Sequence, residues 1–198
     1  MMRFVKKLMW YLPLGGKLSQ SYEGEDVILW RLFTELGVKN GSFIDVGAFH
    51  PRQYNNTWLL RKKLNFAGIN IEPSKRGIRQ FNIWRKDDTN LCTLCGVDDG
   101  VEWFTEEVDE PALSKVGSGV LRGIHKLETI CRYHLVNRID LLSIDVEGYE
   151  LKVLKGFNWY VKPRVIICEI NQQETEDYIL EAGYKLYART KLNGIYVA

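Results

Sequence analysis

The chain lacks any apolar run near the roughly 20 residues that a membrane-spanning helix needs, so no spanning segment is expected. It also lacks a charge excess. Its 27 Lys and Arg against 25 Asp and Glu leave +2 over 198 residues, which gives no electrostatic footprint for nucleic acid. The basic clusters Arg61-Lys62-Lys63, Lys75-Arg76 and Arg85-Lys86 are scattered and read as solvated faces. With 5 prolines, no repeat and no Pro/Ser linker, one domain is expected over residues 19–198, preceded by an extension over 1–18. The 4 cysteines include a C-x-x-C at Cys92 and Cys95, but no second pair or histidine couple completes a zinc set. Buried thiols in a reducing cytoplasm fit better.

Residues 1–14 set Arg3, Lys6 and Lys7 beside Phe4, Leu8, Trp10 and Tyr11. Pro13 interrupts the apolar stretch and no small-residue cleavage site follows promptly, which argues against a signal peptide. A basic, aromatic helix here suits a membrane surface as well as packing on the domain. The expected location is therefore cytoplasmic, with membrane association through this segment as a further expectation.

What is present is a globular composition, 45% hydrophobic and 26% charged, with strand-like and helix-like segments in alternation. Strands are expected at 42–46, 68–72, 90–95, 139–144 and 164–169. Helices are expected at about 21–37, 54–64, 74–84, 127–136, 148–154 and 174–182. Such alternation gives a parallel sheet with right-handed crossovers. Asn193-Gly194 signals a closing hairpin between 184–188 and 195–197, which puts an antiparallel strand into the sheet. The segment 106–126 reads as a long loop, and its length and glycines suggest a lid over a substrate.

The chemistry gathers at strand ends. Phe43-Ile44-Asp45-Val46-Gly47-Ala48 is a buried strand ending in an acid and a glycine; Ile69-Asn70-Ile71-Glu72 ends in another acid. Neighbouring parallel strands ending this way hold a nucleoside-containing cofactor: the glycine turn admits its polar tail and the second acid accepts from the ribose hydroxyls. Asp45, Gly47, Ala48 and Glu72 are thus expected at the cofactor, with Gly96, Val97 and Asp98 near its adenine. The turn lacks the further glycines that a pyrophosphate needs, and Phe49 and Pro51 stand in their place. S-adenosylmethionine, cationic and without pyrophosphate, suits it better than a nicotinamide dinucleotide. Asp145, in Ser143-Ile144-Asp145-Val146-Glu147-Gly148-Tyr149-Glu150, is expected at the same carboxyl rim as Asp45, Glu72 and Glu169, whereas Glu150 suits the dipole of a helix N-terminus.

These motifs resemble the FkbM-type methyltransferases from Ser19 onwards. The matching pieces are Ser19-Gln20 with Gly24-Glu25-Asp26, the D-V-G-A turn into His50-Pro51, Asn56-Thr57, Glu72-Pro73, Glu110-Pro111-Ala112-Leu113-Ser114, and the D-V-E-G-Y-E run at 145–150. Many relatives have a lysine where this chain has Ser143. The resemblance implies an α/β, Rossmann-like class I methyltransferase fold, a mostly parallel seven-stranded sheet with a C-terminal antiparallel hairpin. It also implies S-adenosylmethionine-dependent O-methylation of a hydroxyl, commonly on a sugar of a glycan, glycolipid or natural product. Asn56, Thr57, Ser114 and Glu147 would face this small-molecule or glycan acceptor. Two catalytic designs fit: His50 as general base, or Asp145 and Glu169 with Asn171 holding Mg²⁺ or Mn²⁺ against the hydroxyl. A nicotinamide-dependent oxidoreductase and a non-catalytic nucleoside-binding module are the competing readings.

Overall fold

The computed structural model describes residues 19–106 and 115–198. The extension over 1–18, and Ser114 with the whole of its motif, lie outside the described residues. The chain runs α1 (Glu25–Glu35), β1 (Ser42–Val46), α2 (Trp58–Leu64), β2 (Ala67–Ile71), α3 (Lys75–Trp84), β3 (Thr89–Leu91), β4 (Leu94–Gly96) and β5 (Gly100–Thr105). It continues through β6 (Lys115–Val116), β7 (Val120–Lys126), α4 (Leu127–Tyr133), β8 (Leu141–Ile144), α5 (Glu150–Lys155), β9 (Val165–Glu169), α6 (Gln173–Glu181), β10 (Lys185–Arg189) and β11 (Asn193–Val197).

Seven strands form the main sheet in the order β10-β11-β9-β8-β1-β2-β3, parallel except for β11 against both β9 and β10. This is the mostly parallel sheet with a closing antiparallel pair that the alternation and the final hairpin implied, and the Rossmann-like arrangement that the resemblance implied. The central strands β8 and β9 are buried at every position, as expected where helices cover both faces. Alternate side chains separate two cores. Phe43, Leu141, Val165 and Ile167 pack with Leu29, Leu32 and Phe33 of α1 and Leu60 and Leu64 of α2. Ile44, Val46, Leu142 and Ile144 pack against Leu127 and Ile130 of α4, Val153 and Leu154 of α5 and Ile179 of α6.

Three expected features differ. The third strand of the main sheet stops at Leu91, and the chain re-enters as β4 in a second, four-stranded sheet ordered β4-β7-β5-β6. The described part of the expected lid from Lys115 onward lies largely in that sheet, as β6 and β7: β7 pairs with β5 from Phe104↔Val120 to Gly100↔Ile124. Its inner residues Leu94, Phe104 and Ile124 make a small core of their own, whose period-2 signal the intervening glycines obscured. The hairpin turn falls at 190–192, because Asn193 and Gly194 already pair with Glu169 and Cys168.

The acids at the start of α1 are buried clamps and not merely partners for the helix dipole. Asp26 accepts from Ser19 Oγ at 2.7 Å, Gln20 N at 2.7 Å and Ser21 Oγ at 2.9 Å. Glu25 Oε1 accepts from Thr190 Oγ1 at 3.1 Å and Asn193 Nδ2 at 3.0 Å, which ties the first helix to the last hairpin.

Candidate active site

One cleft opens along the carboxyl ends of β1, β2 and β8, about 790 Å³ with its open mouth included, a size in the usual range for small-ligand sites. Gly47, Phe49, Glu72, Asp145 and Glu147 line its polar side. Leu94, Cys95, Phe104, Val116 and Tyr149 line an apolar side.

The turn after β1 is stitched to both neighbouring strands. Gly47 N and Ala48 N donate to Ile71 O at 3.0 and 3.1 Å, and Asp145 N donates to Val46 O at 3.0 Å. The left-handed conformation of Gly47, φ 77°, continues into Phe49 at φ 54°. Left-handed backbone at a phenylalanine is strained and persists only where the surroundings impose it. Here the Phe49 N–H donates to Glu72 Oε2 at 2.8 Å, while Glu72 Oε1 accepts from Ser74 N at 2.7 Å. Burial pushes Glu72 up to about 7, against these two hydrogen bonds. Each oxygen keeps lone-pair capacity toward the cleft.

On the opposite side, Asp145 follows β8 and Glu169 ends β9. Their carboxylates and that of Glu150 present oxygens within 4.8 Å of one another. Asp145 is reached by solvent through the cleft, yet protein crowds it from every other side. That desolvation, with Glu169 and Glu147 next in effect, holds its pKa well above the usual carboxylate range. Burial and then Glu150 also raise Glu169, offset by hydrogen bonds from Asn171 and Asp145. Two carboxyl groups so close cannot both ionise freely. Glu150 Oε1 accepts from Val146 N at 3.1 Å and Gly148 N at 3.0 Å, which fixes the turn where Glu147 takes φ 55°.

Several expected residues lie elsewhere. Asp45 points away from the cleft, because Ile44 and Val46 face the α4–α6 side and the period of two sends Asp45 to the other. There Asp45, Asn70 and Ser143 are register neighbours across β2, β1 and β8. The Asp45 carboxylate accepts from Asn55 Nδ2 and Thr57 Oγ1, both at 3.1 Å, and from Ser143. Thr57 is thus part of the buried scaffold and not of an acceptor site; Asn56, half-buried, is outside the cleft lining as well. Ala48 packs on Ile78 and Phe81, away from the lining. Gly96 is buried in β4, Val97 is exposed, and Asp98 pairs with Lys126 on the surface. The early end of β3 gives their expected place to Thr93, Leu94 and Cys95.

His50 is a turn histidine whose Nδ1 accepts from Arg52 N at 3.1 Å and Gln53 N at 2.9 Å. Burial, Arg85 and Arg52 lower its basicity. Asn171 donates its amide to Glu169 Oε2 at 2.9 Å and so orients that carboxylate, while Glu150 takes the third place in the acidic group.

Arg85 is the residue that the sequence concealed. Its cluster with Lys86 reads as a solvated face, but Arg85 is 0% exposed. It donates to Pro51 O at 2.8 Å, Thr57 Oγ1 at 2.7 Å, Asn70 Oδ1 at 3.3 Å and Asn55 Oδ1 at 2.6 Å. Burial lowers it to about 10, with Asp45 and Asp88 opposing the drop, so it stays cationic at neutral pH. The cation beside Asp45 thus comes from the end of α3. Cys95, Cys131 and Cys168 are buried thiols as expected, whereas Cys92 is exposed, because β3 ends at Leu91 and leaves it outside both sheets.

The profile of the FkbM methyltransferase domain matches residues 45–186. Among curated proteins none matches significantly. A crystal structure of a methyltransferase from Pyrococcus furiosus is a distant structural neighbour, with a TM-score of 0.43 and 10% identity over 87% of this chain and 82% of that one.

Proposed function

The chain belongs to the FkbM methyltransferase family, and from that premise we propose that it is an S-adenosylmethionine-dependent O-methyltransferase. Its acceptor would be a hydroxyl, that of a sugar in a glycan, glycolipid or natural product. The observation that carries this reading is the placing of Glu72 and Asp145 on opposite sides of the Gly47 turn, both facing one cleft. Glu72 suits the two ribose hydroxyls, since its backbone bonds leave further acceptor capacity. The apolar side from Leu94 to Tyr149 suits an adenine ring. Asp145 and Glu147 suit the cationic end of the cofactor. When bound, S-adenosylmethionine supplies an electrophilic methyl group on a cationic sulfur.

The chain's own part is to hold the acceptor oxygen in line and to take its proton. A carboxyl–carboxylate pair carries one negative charge in all, and its raised basicity brings it toward the operating pH of a general base. The Asp145–Glu169 pair is preferred to His50, whose Nδ1 is committed to the backbone outside the cleft lining. A second reading is favoured by the three carboxylates within 4.8 Å: Mg²⁺ or Mn²⁺ on Asp145, Glu150 and Glu169 would replace the shared proton and polarise the hydroxyl.

Thermal-shift titration with S-adenosylhomocysteine against NAD tests the cofactor, because a ligand of the native state raises its stability. Stabilisation by NAD alone would overturn the reading. Gain of a single methyl on a glycan or glycolipid, followed by mass spectrometry, tests the reaction; methylation confined to carboxyl or amino acceptors would overturn O-transfer.

A further inference from the structure

Helix α3 carries a solvent face that its own stability does not explain. Residues 75–86 hold Lys75, Arg76, Arg79, Arg85 and Lys86 and no acid. Arg85 turns inward, and the other four are exposed. None of these four has an ion-pair partner among the described residues. Lys75 and Arg76 moreover occupy the first turn, next to the Ser74 cap. The helix dipole favours acids there and opposes cations.

The stripe is not only basic. Gly77, Ile78 and Phe81 form the buried side of α3, and at 3.6 residues per turn Arg76, Arg79 and Ile83 share the opposite side. Ile83 is 71% exposed and Trp84, at the edge of the stripe, is 70% exposed. Two large apolar side chains standing in water amid four unpaired cations need a partner that takes both.

We propose that α3 docks the protein on an anionic lipid bilayer, with the cations against the headgroups and Ile83 and Trp84 entering the interface. A bilayer is the occupant that satisfies every member of the face. Its surface is negative, tryptophan is favoured at headgroup level, and an aliphatic side chain gains by leaving water. A nucleic acid would take the cations and could stack on Trp84, but would leave Ile83 in water. Each cation near such a surface contributes about 1 kcal/mol, so four give a reversible, salt-sensitive association. The helix starts three residues after Glu72, and docking therefore holds the cleft beside the membrane. No particular methyl acceptor is required for this.

Co-sedimentation of the full chain with vesicles tests it, using phosphatidylcholine alone and phosphatidylcholine with about a third phosphatidylglycerol. The anionic vesicles should bind the chain and the neutral ones should not. Arg76→Glu/Arg79→Glu should weaken binding by at least roughly thirty-fold, the equivalent of about 1 kcal/mol for each cation lost before the repulsion of the new acids is added. Ile83→Ser/Trp84→Ser should also weaken it, although the charge is unchanged. If the charge-reversed chain melts early, Arg76→Gln/Arg79→Gln gives the same comparison. Failure to bind anionic vesicles, equal binding by the charge variant, or indifference to the Ile83/Trp84 pair would each overturn the proposal. So would a loss of binding on removal of residues 1–14 together with none on the α3 substitutions.

Discussion

The backbone carbonyl of Asp145 occupies the space that a Cβ on residue 47 would need. Gly47 is thus required twice, for its φ of 77° and for the close approach of the β8 end. Gly47→Ala should force β1 and β8 apart at the cleft. The expected outcome is a loss of about 1–3 kcal/mol in stability and a marked loss of S-adenosylhomocysteine affinity. Thermal melts and calorimetry measure both, and an unchanged pair of values would refute the requirement.

Glu72 makes stability and cofactor affinity respond to pH in opposite directions. Its folded value of about 7 lies above the ordinary glutamate value of about 4.3, so the ligand-free native state binds the extra proton. The stability this gives is fully present below the ordinary value and is lost as pH rises through 7, by up to about 3 kcal/mol. Ribose hydroxyls need the ionised form, so affinity should rise across the same window. Melts and titrations of the wild type and Glu72→Gln check this. A variant with the same pH slopes as the wild type would exclude Glu72 as their source.

Removing the shared proton site should separate binding from turnover. Asp145→Asn and Glu169→Gln should each lower the catalytic rate by about 10²–10⁴-fold with a smaller change in cofactor affinity, since the charge matters most as the alkoxide develops. Chelator distinguishes the two designs: a cation-dependent enzyme stops and recovers with Mg²⁺ or Mn²⁺, whereas the proton-sharing pair is indifferent. A fully active Asp145→Asn/Glu169→Gln double variant would sink the site.

Arg85→Leu should cost about 3–5 kcal/mol, because it strands the buried Asp45 carboxylate without its cation. Asp45→Asn made together with Arg85→Leu should recover part of that loss, since neither charge then remains. Denaturant unfolding of the two single variants and the double variant measures the coupling. Strict additivity would show that Arg85 and Asp45 act independently.

The sequence alone determined the alternation of the main sheet's strands with the helices, the closing antiparallel pair, the Gly47 turn and the acids at the ends of β2, β8 and β9. Each rests on a local signal: alternation of period, a glycine beside an acid, or a strand that ends in a carboxylate. Tertiary structure decided which face each side chain takes. Asp45 looked like a rim acid, but its parity in β1 sends it under the sheet to Asn55, Thr57 and Arg85. Arg85 looked like solvated charge, yet only the packing of α3 on the β1 turn makes it the buried counter-ion. The 106–126 segment looked like a loop because β7 finds its partners in β4 and β5, contacts that no local pattern encodes. Asn171 and Glu150 exchanged roles for the same reason: which carboxylates converge depends on how the ends of β8 and β9 lie together, and sequence spacing does not carry that distance.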